Sequence, residues 1–146
     1  MERRQFIGSL SGPVVAACAV CMGACSKSSS TTNGTSSGSN VPTPANVNFT
    51  VDLGSSLTTI GSSLVQSGVI VVRIAGGNAA ASFTAVQSAC THEGTTINFS
   101  ASGNQFVCPN HGSTFTTSGK VTLGPASTAL KQFTVVVNGS IMTVTG

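Results

Sequence analysis

The chain has 146 residues, room for one domain and a targeting segment. Only 6% are charged, Trp and Tyr are absent, and 17 glycines accompany many Ser and Thr, so hydroxyls rather than charges keep the surface polar. The formal net charge of +3 includes Arg3, Arg4 and Glu2 of the N-terminal segment. Beyond it only Lys27, Asp52, Arg73, Glu93, Lys120 and Lys131 remain, which excludes a basic track for nucleic acid.

Residues 1–24 read as an export signal. Arg3-Arg4 precedes a mostly apolar run, Phe6 to Ala24, that ends in small residues. Arg3-Arg4-Gln5-Phe6-Ile7 resembles the twin-arginine signal of bacteria, a route for proteins already folded around a cofactor. Met22-Gly23-Ala24-Cys25 resembles a lipobox, which makes Cys25 the lipidated first residue of the mature chain; Val15-Ala16-Ala17-Cys18 is a second match, farther from the linker. The competing reading is an uncleaved membrane-spanning helix, for which residues 6–24 are just long enough, although Gly8, Ser9, Ser11, Gly12 and Pro13 weaken it. Either way the domain faces the periplasm or the cell exterior and is tethered to a membrane. Of the five cysteines, Cys18 and Cys21 leave with the signal and Cys25 takes lipid, so only Cys90 and Cys108 stay in the domain.

Residues 25–45 are Ser, Thr, Gly, Asn and Pro with almost nothing to bury, a flexible linker with a root-mean-square span of roughly 25 Å. Residues 46–146 form the domain. Short runs rich in Val, Ile, Thr and Phe predict strands at Asn48–Val51, Val69–Ile74, Ser82–Gln87, Thr95–Phe99, Gln105–Val107, Gln132–Val137 and Ser140–Thr145. Asn138-Gly139 predicts a two-residue hairpin, and Gly76-Gly77-Asn78 and Gly103-Asn104 mark further turns. No segment carries a helical period of useful length. The expected fold is all-β, an antiparallel β-sandwich with functional loops at one end.

Two motifs in this domain carry chemistry. Cys90-Thr91-His92 and Cys108-Pro109-Asn110-His111 contain both histidines of the chain and both cysteines left in the domain. Each pairs one thiol with one imidazole, and C-x-H with C-x-x-H is the ligand pattern of a Rieske [2Fe-2S] centre. Cys90-Thr91-His92-Glu93-Gly94 resembles the first Rieske loop, Cys108-Pro109-Asn110-His111-Gly112-Ser113-Thr114-Phe115 the second, and Gly124-Pro125-Ala126 is similar to the covering third loop. The resemblance extends over residues 46–146. It implies a Rieske-like sandwich with a small cluster-binding subdomain, in which Cys90 and Cys108 bind the inner iron and His92 and His111 the outer iron through Nδ1. It also implies that Ser113 donates a hydrogen bond to a cluster sulfur. Phe115 replaces a Tyr that donates a second one in high-potential members, while Glu93 stands where quinol-oxidising subunits carry an apolar tip residue. Thr95 and Asn110 occupy the places of a loop-bridging cysteine pair, so the loops need non-covalent ties, such as a bond between these two side chains. Soluble Rieske ferredoxins resemble this chain in lacking that pair.

The function this implies is one-electron transfer by a membrane-tethered protein, as a carrier or as the iron–sulfur subunit of a quinol-oxidising cytochrome complex, with a redox protein as partner and no substrate turnover of its own. A second possibility is the small Rieske subunit of a periplasmic molybdenum oxidase of the arsenite oxidase type, where the partner is the molybdenum subunit. A structural zinc-binding lipoprotein ranks lower. Cys2His2 suits zinc, but zinc-finger spacing places Cys near Cys and His near His, whereas each loop here mixes them. A ring-hydroxylating oxygenase is excluded, because its separate iron needs histidines that this chain lacks.

Overall fold

The computed structural model of the chain describes residues 41–146. The predicted signal 1–24, Cys25 and most of the 25–45 linker lie outside the described residues. Among the described residues no helix is long and apolar enough to cross a membrane.

Ten strands and one 3-10 turn, Ala80–Ser82, make up the described domain. The strands are β1 (Asn48–Asp52), β2 (Ser63–Gln66), β3 (Val69–Arg73), β4 (Phe83–Gln87), β5 (Asn98–Ser100), β6 (Gln105–Val107), β7 (Thr114–Thr116), β8 (Val121–Leu123), β9 (Thr134–Asn138) and β10 (Ile141–Thr145). They form three antiparallel sheets with strand orders β1-β10-β9, β2-β3-β4 and β5-β6-β7-β8. The all-β expectation holds, and each of the seven predicted strands is present, Gln105–Val107 with the same ends and the others with shifted ends. The Thr95–Phe99 run becomes a strand only at Asn98. The Thr95 carbonyl is spent on the Cys90 N–H, which closes the preceding loop. The hairpin at Asn138-Gly139 is displaced by one residue: Asn138 pairs with Ile141, so the two central residues are Gly139 and Ser140. Glycine in the first of these positions suits a type II′ turn.

β3 explains how the sheets share a core. All five of its residues are buried. Val69 and Val71 join one apolar cluster with Phe49, Val51, Phe83, Met142 and Val144, between the first two sheets. Ile70 and Val72 point the other way, into a second cluster with Val86, Ile97, Phe106, Phe115, Leu130, Cys90 and Cys108. A strand covered on both faces reads as a continuous apolar run, which is what Val69-Ile70-Val71-Val72 is. Full burial of each such side chain favours folding by roughly 1.5–3 kcal/mol.

Arg73 ends this strand and is itself buried. Its guanidinium donates to the carbonyls of Leu57 and Gly77 and to Asn78 Oδ1, and it lies 4.6 Å from the centre of the Phe83 ring. A buried charge needs compensation. Here it comes from backbone and amide dipoles and an aromatic face.

Candidate metal centre

Three loops border the four-stranded sheet: residues 88–97 lead into it from β4 to β5, residues 108–113 join its neighbouring strands β6 and β7, and residues 124–133 lead out of it from β8 to β9. The first two close with the same backbone pattern. The Cys90 N–H donates to the Thr95 carbonyl and the Gly94 N–H donates back to the Cys90 carbonyl, each at 2.8 Å. The Cys108 N–H donates to the Ser113 carbonyl at 2.8 Å and the Gly112 N–H returns to the Cys108 carbonyl at 3.1 Å. Both loops therefore need a residue with positive φ four positions after the cysteine. Gly94, at φ 79°, and Gly112, at φ 70°, meet that need without a Cβ clash.

This repeat buries the two cysteines side by side. Cys90 and Cys108 are both free thiols with almost no exposed surface. Burial pushes the Cys90 thiol up from its ordinary range; the backbone N–H groups of His92 and Glu93 pull the other way, and the Cys108 thiol beside it adds to the rise. The histidines sit at different steps of the two loops, yet their rings meet edge-to-face with centroids 4.9 Å apart and an interplanar angle of 81°. Nδ1 of His92 is buried with no hydrogen-bond partner. An orphaned buried nitrogen is rare in folded proteins and points to a missing partner. Two buried free thiols, one orphaned imidazole nitrogen and a second, more exposed ring converge here, and this donor set fits a cluster held by two thiolates and two imidazoles.

The remaining predicted residues lie on these loops or on β7. Ser113 is fully buried, and its hydroxyl accepts the Ala126 N–H at 3.1 Å. Among the described residues its own hydrogen has no protein acceptor. Gly124 lies against Ser113, Ala126 is buried and Pro125 is exposed. Phe115 is fully buried in the same apolar cluster as both cysteines. Glu93 sits on the rim, its side chain 54% exposed, with Oε2 3.6 Å from His111 Nδ1.

The expected bond between Thr95 and Asn110 is not made. Asn110 Nδ2 instead donates to Glu93 Oε2 at 3.1 Å. Two contacts had no sequence signal: that bond, and the one from the Thr91 hydroxyl to the Thr128 carbonyl at 2.6 Å. Both depend on which loops face each other. The glycine four places after each cysteine is the one pattern that could have shown the two loops to be alike.

Comparison with known proteins agrees with this architecture. The ferredoxin of carbazole 1,9a-dioxygenase from Nocardioides aromaticivorans IC177 shares the fold, at 23% identity and a TM-score of 0.52, covering 71% of this chain and 98% of that one. The cytochrome b6-f complex iron-sulfur subunit of Chlorobaculum thiosulfatiphilum is 36% identical over 62 residues, which is 42% of this chain and 34% of that protein. The corresponding subunit of Chlorobaculum tepidum is 38% identical over 69 residues, 47% of this chain and 35% of that protein. The matches thus span about a third of the length of these relatives. The family model of the Rieske [2Fe-2S] domain matches residues 47–134, from the start of β1 through all three loops. The chain belongs to the Rieske [2Fe-2S] domain family, and its cofactor is a Rieske-type [2Fe-2S] cluster.

Proposed function

We propose that this protein transfers single electrons from an exported, membrane-tethered position, with Cys90 and Cys108 holding the inner iron and His92 and His111 the outer iron. The observation that carries the reading is the convergence of two buried free thiols with the orphaned Nδ1 of His92 and the partly exposed ring of His111. When bound, the cluster supplies a one-electron couple. The chain's own residues do the rest. The apolar packing around Cys90 and Cys108 keeps water from the inner side, while the His111 edge, with 44% of its side chain exposed, is the face through which a partner is reached. The partner supported by the relatives is the cytochrome of a quinol-oxidising complex, since those relatives are cytochrome b6-f iron-sulfur subunits.

Purified mature protein is expected to contain two irons per chain, no stoichiometric zinc, and a rhombic electron paramagnetic resonance signal on reduction. One zinc per chain would establish the zinc reading instead. Co-purification from native membranes identifies the partner. A cytochrome supports the proposed assembly, and a molybdenum subunit replaces it with the molybdenum oxidase.

Anchoring rests on Cys25. Cys25→Ala should leave an uncleaved or soluble species, whereas Cys18→Ala should fractionate as wild type. A mature chain beginning at Met1 would show the uncleaved helix to be the anchor.

Ser113 and Phe115 set the level of the potential. A hydrogen bond to an ionised group contributes about 1.5–3 kcal/mol, and a tenfold change in a one-electron equilibrium is about 59 mV, so one donor shifts the potential by roughly 65–130 mV at full strength. Ser113→Ala should lower the potential and Phe115→Tyr should raise it, each by tens of millivolts. Redox titration of both variants checks the signs. An unchanged Ser113→Ala would mean that the hydroxyl turns away from the cluster.

A further inference from the structure

The three loops are tied to one another by side chains in a closed circuit. Loop 88–97 reaches loop 108–113 through Glu93 and Asn110, at 3.1 Å. Loop 108–113 reaches the third loop through the Ser113 hydroxyl and the Ala126 N–H, also at 3.1 Å. The third loop returns to the first through the Thr128 carbonyl and the Thr91 hydroxyl, at 2.6 Å. No disulfide joins Cys90 or Cys108 to anything. Each loop thus has two side-chain ties, and opening one releases a constraint on all three.

We propose that this ring of hydrogen bonds acts as one cooperative clasp that keeps the ligand loops at cluster spacing, with Asn110 and Thr91 as positioning residues. The inference rests on the electron-transfer reading of the same site. It assigns Asn110 a role that its neighbours in the C-x-x-H motif do not suggest. The residue is not needed to bind iron, but its amide bridges the motif to the other ligand loop. The bond to Glu93 is charge-assisted, which suits a contact that must persist near solvent. Thr91 lies between a cysteine and a histidine of the first loop, so its hydroxyl fixes the stretch of backbone that aims both.

A ring behaves differently from three separate bonds. Independent ties give multiplicative losses, whereas members of one cooperative unit give a second loss smaller than the first. The full-length holoprotein is compared with Asn110→Ala, Thr91→Val and the double variant. Cluster loss is followed by bleaching of visible absorption, and loop opening by amide hydrogen exchange. Each single variant should lose its cluster about five-fold faster, the effect of one broken hydrogen bond. The double variant should be close to either single one, not about 25-fold faster as independent bonds would make it. Exchange should quicken in residues 124–133 of Asn110→Ala, a loop to which the Asn110 side chain makes no hydrogen bond. Thr91→Ser, which keeps the hydroxyl, should retain the cluster as wild type does. Unchanged exchange in 124–133, or a multiplicative double variant, overturns the ring. If the wild-type protein holds no cluster, the functional reading fails, and exchange alone still decides whether the loops open together.

Discussion

Gly124→Ala is expected to lower the thermal midpoint by about 10 °C or more and to yield protein with depleted iron. The residue has φ +96°, and a Cβ there would lie 2.5 Å from the Ser113 Cα and 2.9 Å from both the Ser113 nitrogen and Oγ. The nearest of these atoms belong to backbone fixed by the Cys108–Ser113 hydrogen bond, so neither side can yield cheaply. A left-handed backbone costs a side chain about 1–2 kcal/mol, and overpacking costs about 1–3 kcal/mol more. For a domain of this size each kcal/mol corresponds to about 4–8 °C. Gly76→Ala is the control, because a Cβ there meets nothing within 4 Å and its φ is not positive. Calorimetry together with iron analysis reads both effects. A melt matching the Gly76 control would mean that the third loop does not press on Ser113.

The second large effect falls on the proposed outer ligands. His111→Cys replaces a neutral donor by an anionic one, and added negative charge opposes the added electron. Rieske centres lie at roughly −150 to +300 mV, while plant-type centres with four thiolates lie near −400 mV. The variant exchanges one of the two imidazoles and should therefore either fail to assemble or show a potential lower by about 125 mV or more. His92→Cys should behave similarly, with poorer assembly, because His92 Nδ1 is buried and the shorter side chain must be reached by moving a loop that backbone and side-chain hydrogen bonds restrain. Redox titration monitored by electron paramagnetic resonance distinguishes the outcomes. A His111→Cys protein with a wild-type potential would remove His111 from the ligand set.

Much of this architecture is readable without coordinates, for identifiable reasons. β1 and β10 each cover one face, so Phe49, Val51, Met142 and Val144 alternate with exposed or half-exposed neighbours. β3 is legible as an uninterrupted apolar run. β7 escapes because Thr114–Thr116 overlaps the second ligand motif, and β8 because it is mostly exposed and buries no side chain fully. β2 is mostly exposed, with only Leu64 packed against the core, so its pattern is faint. At the site, Cys90, His92, Cys108 and His111 stand out because the domain has no other cysteines or histidines. The ties from Thr91 and Asn110 do not stand out, since Thr and Asn are common in this chain and their partners lie 37 and 17 positions away.

The manner in which Arg73 is satisfied leaves the interior of the domain without an ionised acid. Proteins unfold in acid chiefly because carboxylates paired in the native state must take up protons. Asp52 and Glu93 are the only side-chain carboxylates among residues 41–146. Asp52 caps a surface turn through the Gly54 N–H, and Glu93 lies on the rim. The one buried cation is held by carbonyls, an amide oxygen and a ring, none of which titrates in acid. The apolar interior of the domain thus contains no carboxylate, and the packing of β3 on both faces does not depend on an ionised acid.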